Sequence, residues 1–435
     1  MSERMMKKSR LLIAALLGTM MIAALTLWGC GGDGTSSYSD PSPTTTKSAA
    51  IIGADTLNQW IAEGKLNAPY GSRDRVVVVS TSTVADWTGK GHIPGAVRLG
   101  TDELAKDRVE GLALATSMMP DGPMMDTLVQ RLGIDANTTI VITLPKNSTL
   151  YYQSIAFWDF RYWGFARDRV KILNGGDDAW DVAGLPLSTD ATEKYTASTY
   201  SVSKNAALKD VLRYSIGEMI TRVDALIATP ALKDTWQMID VRGFSTSPYL
   251  TNALRLSAYT MYFSRLNGDA TKNFVFPDKQ TLEARMASIP ARDGATDVFA
   301  SPAKKTIVMC MGSSSAAPSF VLFDAVLNVP EGDIAMYDGS YSQWQNYSAE
   351  RLLLAYPNAS ATQISAWAFN NATNPRAQGT MLTTAVPTIW SAFSPVLGPT
   401  STDMNQIETA DKAYITPVTT TTGGTSGGGS APGGC

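Results

Sequence analysis

Histidine is almost missing from this chain. There is one, His92, beside only three cysteines, Cys30, Cys310 and Cys435. A Cys/His zinc site would need several carboxylates to complete it, so no metal site is expected. Any Ser–His or Cys–His catalytic pair would have to use that single imidazole. Three cysteines are too few for a disulfide framework, and a chain of 435 residues needs none to bury a core. Charged residues make up 17% of the chain, the net charge is −3, and no basic block is present, which argues against nucleic acid as a partner. The 44% of hydrophobic residues is that of an ordinary globular protein.

The first residues read as an export signal. Arg4, Lys7, Lys8 and Arg10 precede an uncharged apolar run from Leu11 to Leu27, followed by Trp28-Gly29-Cys30. Leu27-Trp28-Gly29-Cys30 resembles the bacterial lipoprotein signal, in which the Cys becomes the lipid-bearing N-terminus. The alternative is a plain anchor helix, for which the run is at the short limit. The lipoprotein resemblance implies residues 1–29 as signal peptide, lipidation at Cys30, and a Gly/Ser/Thr/Pro-rich tether over 30–49. Gly31 stands where an inner-membrane retention Asp would be, so the expected location is the bacterial cell envelope, at the outer membrane.

Two stretches repeat. Thr139-Ile140-Val141-Ile142-Thr143 is matched by Thr306-Ile307-Val308-Met309-Cys310. Ile172 to Trp180 (ILNGGDDAW) is matched by Met336 to Trp344 (MYDGSYSQW). Near-constant offsets argue for a duplicated unit. In each half, short β-branched runs such as Val76–Ser80, Thr139–Thr143 and Val170–Leu173 alternate with helical patterns over 56–62, 124–132 and 150–163. That alternation predicts an α/β fold with mainly parallel sheets flanked by helices, one over 50–190 and one over 191–350. Ligands of such sheets sit beyond the carboxyl ends of the strands.

One strand, from Lys304, ends at Cys310. Met311-Gly312-Ser313-Ser314-Ser315 forms a small loop, and a helix runs from Ala316 through Pro318 and Phe320 to Val326. Proline suits a first helical turn. Loop N–H groups above a helix N-terminus stabilise an anion, so the Cys310 thiol is expected below its free value of about 8.5. Such a thiolate is a nucleophile that needs no histidine. A buried structural cysteine is the competing reading.

Taken together, these segments resemble tandem rhodanese-like sulfurtransferases, the thiosulfate and 3-mercaptopyruvate sulfurtransferase superfamily. The resemblance rests on Gly91-His92-Ile93-Pro94-Gly95-Ala96, Leu173-Asn174-Gly175-Gly176 with Trp180, Ile239-Asp240-Val241-Arg242, and Tyr337 to Trp344. It implies catalysis in the second half, a Cys310 persulfide, no cofactor, and a first half that has Thr143 where the second has Cys310. His92 is then a turn residue, while Tyr341 and Trp344 pack the last helix. The family's basic loop residues are replaced here by Met311, Gly312 and Ser313. Arg242 and Arg255, with Asp240 beside them, are the substrate-binding candidates; Lys304 and Lys305 lie at the far end of the strand. A sibling phosphatase family uses Cys-x5-Arg, but Ala316 stands at the Arg position.

The expected partners are a small sulfur donor and a thiophilic acceptor. A non-catalytic accessory lipoprotein in an envelope complex is the reading from a different class. Beyond Trp344, residues 351–417 read as an extension and 418–435 as a Gly/Ser/Thr tail ending in Cys435, which could contact an envelope protein.

Overall fold

Runs of β-branched residues form the centres of two sheets. The computed structural model describes residues 50–193, 196–244, 248–294, 296–349, 352–353, 356–369, 376–378 and 403–415. Cys30, the signal and tether, and the tail with Cys435 lie outside the described residues. Among the described residues no helix is long and apolar enough to cross a membrane.

In the first half the strands are β1 (Ile51–Ile52), β2 (Val76–Thr81), β3 (Val97–Leu99), β4 (Lys106–Glu110), β5 (Ala113–Met118), β6 (Thr139–Thr143) and β7 (Val170–Leu173). Five of them form a sheet ordered β1-β7-β6-β2-β3, parallel throughout. Val76, Val77, Val78 and Val79 are all buried, as expected of a strand covered on both faces. Strands β4 and β5 stand apart as an antiparallel hairpin.

The second half contains β8 (Trp236–Asp240), β9 (Tyr249–Leu250), β10 (Ala253–Arg255), β11 (Ser264–Arg265), β12 (Phe274–Val275), β13 (Pro290–Arg292), β14 (Asp297–Phe299), β15 (Lys305–Met309), β16 (Ile334–Met336) and, further on, β17 (Ala377–Gln378). Its sheet is ordered β14-β13-β10-β8-β15-β16. The pairings among β10, β8, β15 and β16 are parallel; β13 and β14 join antiparallel. The α/β reading with mainly parallel sheets flanked by helices therefore holds.

Helices occupy the expected places: Ala54–Ala62, Gly122–Arg131, Tyr151–Tyr162 and Gly176–Val182 in the first half. The helix expected from Ala316 to Val326 is a short α-helix, Ala317–Val321, that widens into a π-turn over Leu322–Val326. Pro318 sits in its first turn. This helix packs against Tyr151–Tyr162, with Trp158 and Phe320 in edge contact at 6.5 Å, so one apolar core runs through both halves.

His92 is structural. Its ring stacks on Trp87 at 3.4 Å, its Nδ1 lies 3.1 Å from the Trp87 carbonyl, and its backbone pairs with Ser188. Gly176 has φ +58, and a Cβ there would come within 2.6 Å of the Leu144 carbonyl, which only glycine avoids.

The helix Gln406–Tyr414 packs on the first half. Tyr414 donates to Asp126, and Arg108 pairs with Asp411 at 2.6 Å.

Candidate active site around Cys310

Strands β15 and β8 end side by side, with Met309 opposite Asp240. That register places Cys310 next to Val241 and Arg242. After Cys310 the chain turns sharply. Ser313 takes a left-handed φ of +71, and the N–H groups of Ala316 and Ala317 donate to its carbonyl at 3.0 Å. The turn brings the N–H groups of Gly312, Ala316 and Ser315 near enough to the Cys310 sulfur to favour its thiolate. Met311 and Ser314 complete the loop; Ser314 N–H donates to the Gly312 carbonyl.

Ser340 fixes the loop from below. Its Oγ accepts from the N–H of Cys310 at 3.1 Å and of Ser313 at 3.3 Å, and donates to the Tyr337 carbonyl at 2.9 Å. Tyr341 N–H and Ser342 N–H donate to the carbonyls of Cys310 and Met311. The helix Ser340–Trp344 therefore acts as the floor of the loop. Ser340 lies inside the Tyr337–Trp344 motif, yet its anchoring role has no signature in sequence.

Cys310 is only 2% exposed. Burial raises the thiol above its ordinary pKa; the N–H groups of Gly312, Ala316 and Ser315 oppose the rise, and the Asp240 charge adds to it. The expectation of a lowered thiol pKa is thus corrected. The N–H cradle exists, but lost hydration of the thiolate outweighs it.

The candidate cations are engaged by protein groups. Arg242 grips Asp240, Nε at 3.0 Å from both oxygens and Nη2 at 2.6 Å from Oδ2, and its own N–H is capped by the same carboxylate. Its guanidinium also stacks on the Tyr341 ring at 3.9 Å. Asp240 is therefore both ion-pair partner and cap. Arg255 donates to the carbonyls of Phe244 and Gly294 and lies over the Tyr249 ring at 4.0 Å. Lys305 sits at the opposite end of β15, paired with Asp333.

The corresponding loop of the first half is plugged. Thr143 ends β6 and donates to Asp177 at 2.7 Å. The N–H of Ser148 donates to Asn273 Oδ1, while Asn273 Nδ2 donates to the carbonyls of Pro145 and Gly175. Asn273 comes from the β11–β12 ribbon of the second half. In return the β4–β5 hairpin of the first half lies over the Cys310 loop: Ser313 Oγ donates to the Ser117 carbonyl at 3.5 Å.

A buried charge network stands beside the site and was not foreseen. Arg213 grips Glu110 through two bonds of 2.9 and 3.0 Å and donates to Asp338 at 2.9 Å. Glu408 lies 3.8 Å from it. Among the described residues no group of three or more His, Cys, Asp or Glu side chains is arranged to hold a metal ion.

No family model matches the chain. It is similar to the Mycobacterium bovis protein SseA, named as a thiosulfate sulfurtransferase, at 27% identity over 71% of this chain and 92% of the relative. It is also similar to the sulfur carrier protein TtuD of Thermus thermophilus, at 26% identity over 59% of this chain and 83% of the relative. Among solved structures it superposes on the Tum1 protein of Saccharomyces cerevisiae with TM-score 0.51 and 16% identity, over 68% of this chain and 94% of that one. The fold is thus the rhodanese-type α/β fold, and the relatives support a sulfurtransferase.

Proposed function

We propose that the protein carries sulfane sulfur on Cys310. The observation that carries this reading is a cysteine at the carboxyl end of a central strand, in a tight loop whose N–H groups favour its thiolate. In the first half-reaction the Cys310 thiol loses its proton to solvent. The thiolate then attacks the outer sulfur of a thiosulfate-like or mercaptopyruvate-like donor. A bond forms from Sγ to that sulfur, the donor's bond to it breaks, and the electron pair leaves with sulfite or with the enolate of the keto acid. The enolate then takes a proton from solvent. In the second half-reaction an acceptor thiolate attacks the outer sulfur of the persulfide and leaves with it, restoring the Cys310 thiolate. Oxidation levels balance between donor and acceptor, and no cofactor is required.

The N–H cradle supplies dipoles that favour the anionic persulfide. With Arg242 committed to Asp240 and Arg255 to backbone carbonyls, the first-choice donor is the less charged mercaptopyruvate type. Ping-pong kinetics follow from the covalent intermediate. Cyanide-dependent thiocyanate release from either donor is expected, and Cys310→Ala should abolish it. Release undiminished in that variant would refute the assignment; silence from every donor would favour the accessory reading.

We also propose that Cys30 is lipidated and that the protein is anchored in the bacterial envelope, at the outer membrane. Labelled fatty acid should enter the protein, and Cys30→Ser should lose it. Label retained in that variant would remove the anchor.

A further inference from the structure

The Cys310 loop is touched at Ser313 by an element with its own fastening, the β4–β5 hairpin. The β4–β5 hairpin and Met119 just after it bear on the residues around the loop: Ser117 accepts from Ser313, Met119 N–H donates to Asp338 at 3.4 Å, and Gln343 donates to Glu110 at 3.3 Å. The tip of the same hairpin and its strand β4 are held by residues from later in the chain. Arg108 donates to both oxygens of Asp411, at 2.9 and 2.6 Å, and to the Ile407 carbonyl at 3.5 Å. Gly111 N–H donates to the Asp403 carbonyl at 3.1 Å. Leu112 N–H donates to the Tyr347 hydroxyl at 3.1 Å, and the Tyr356 hydroxyl donates to the Leu112 carbonyl. Ile407 packs on Met118.

Ile407 and Asp411 are four residues apart, hence on one face of the Gln406–Tyr414 helix, and that face meets the hairpin. The far end of the helix is tied to the start of the second half through Ser203, which donates to the Tyr414 carbonyl, and through Lys412 on Asp210. The base of the hairpin carries two irregularities suited to bending: a register shift between Lys106 and Arg108, and a left-handed φ of +58 at Ser117.

We propose that the Gln406–Tyr414 helix is a latch. It holds the β4–β5 hairpin closed over Cys310, and the thiol meets donor and acceptor only when the hairpin lifts. This inference rests on Cys310 being the reacting group, but its test does not use sulfur transfer. Full-length protein is treated with iodoacetamide under native conditions, and the rate of Cys310 alkylation is read by peptide mass. Asp411→Asn, which weakens the hold on Arg108, should raise that rate at least tenfold, and Ile407→Ala, which removes the contact with Met118, several-fold, each with a cooperative melt retained. If Asp411→Asn does not fold, Ile407→Ala decides alone. An alkylation rate equal to wild type in the folded variants would overturn the latch. Faster alkylation without any sulfur loading would leave the latch standing and remove the sulfurtransferase reading instead.

Discussion

At Cys310 three N–H groups favour a thiolate that burial disfavours, and burial wins. Because the thiol is raised from its ordinary value, its alkylation rate should keep climbing with pH beyond the ordinary thiol range. A plateau reached by neutral pH would contradict the raised thiol. Ser340 makes a second claim at this scale. Replacing it with Ala leaves two buried N–H groups, of Cys310 and Ser313, without their acceptor. Each such loss costs about 1–3 kcal/mol. Ser340→Ala should lower the melting temperature and slow persulfide formation roughly tenfold on the same grounds; unchanged rates would show the loop needs no floor. The position of Cys310 was legible from one strand, one loop and one proline. Its ionisation was not, because Cys310 is buried in a core assembled from both halves of the chain, which no local pattern shows.

Among the elements, the strands were the easiest to read. Val76–Thr81, Thr139–Thr143 and Lys305–Met309 each hold an unbroken apolar run, Val76 to Val79, Ile140 to Ile142 and Ile307 to Met309, which a two-sided parallel sheet requires. The β4–β5 hairpin gave little sign of itself, since its sequence mixes charge with small residues. The plugged loop of the first half was half legible: Thr143 opposite Cys310 showed that no thiol would be there, while the Asn273 plug lies in another half. Asn273→Ala removes one acceptor and two donors from buried backbone groups. It should destabilise by about 2–4 kcal/mol in chemical denaturation, with little change in Cys310 alkylation; an equal effect on both would mean the two loops are coupled. Asp177, beneath Thr143, is buried and its carboxyl is pushed up to about 7 from the ordinary 3.8. The folded chain then holds a proton that the unfolded chain has released. Its contribution to stability is complete below pH 3.8 and is lost as pH rises through 7. Asp177→Asn should therefore flatten the decline of stability between pH 4 and pH 8, a range worth roughly 4 kcal/mol at about 1.36 kcal/mol per pH unit. A decline as steep as in wild type would contradict the shift.

The whole molecule is held by reciprocal exchange, each half laying a ribbon over the loop of the other. At the junction Arg213 neutralises Glu110 and Asp338, all three fully buried. No local pattern could have announced a pair 103 residues apart. Arg213→Met strands two carboxylates and should cost about 3–5 kcal/mol, seen as a lower melting temperature for both halves together. The central claim is nevertheless chemical. The most direct test is the mass of the Cys310 peptide after native protein is incubated with mercaptopyruvate or thiosulfate, digested, and compared with and without reductant. The account predicts a gain of one sulfur on Cys310 that reductant removes. A Cys310 peptide of unchanged mass under every donor, in protein whose Cys310 can still be alkylated, would contradict it.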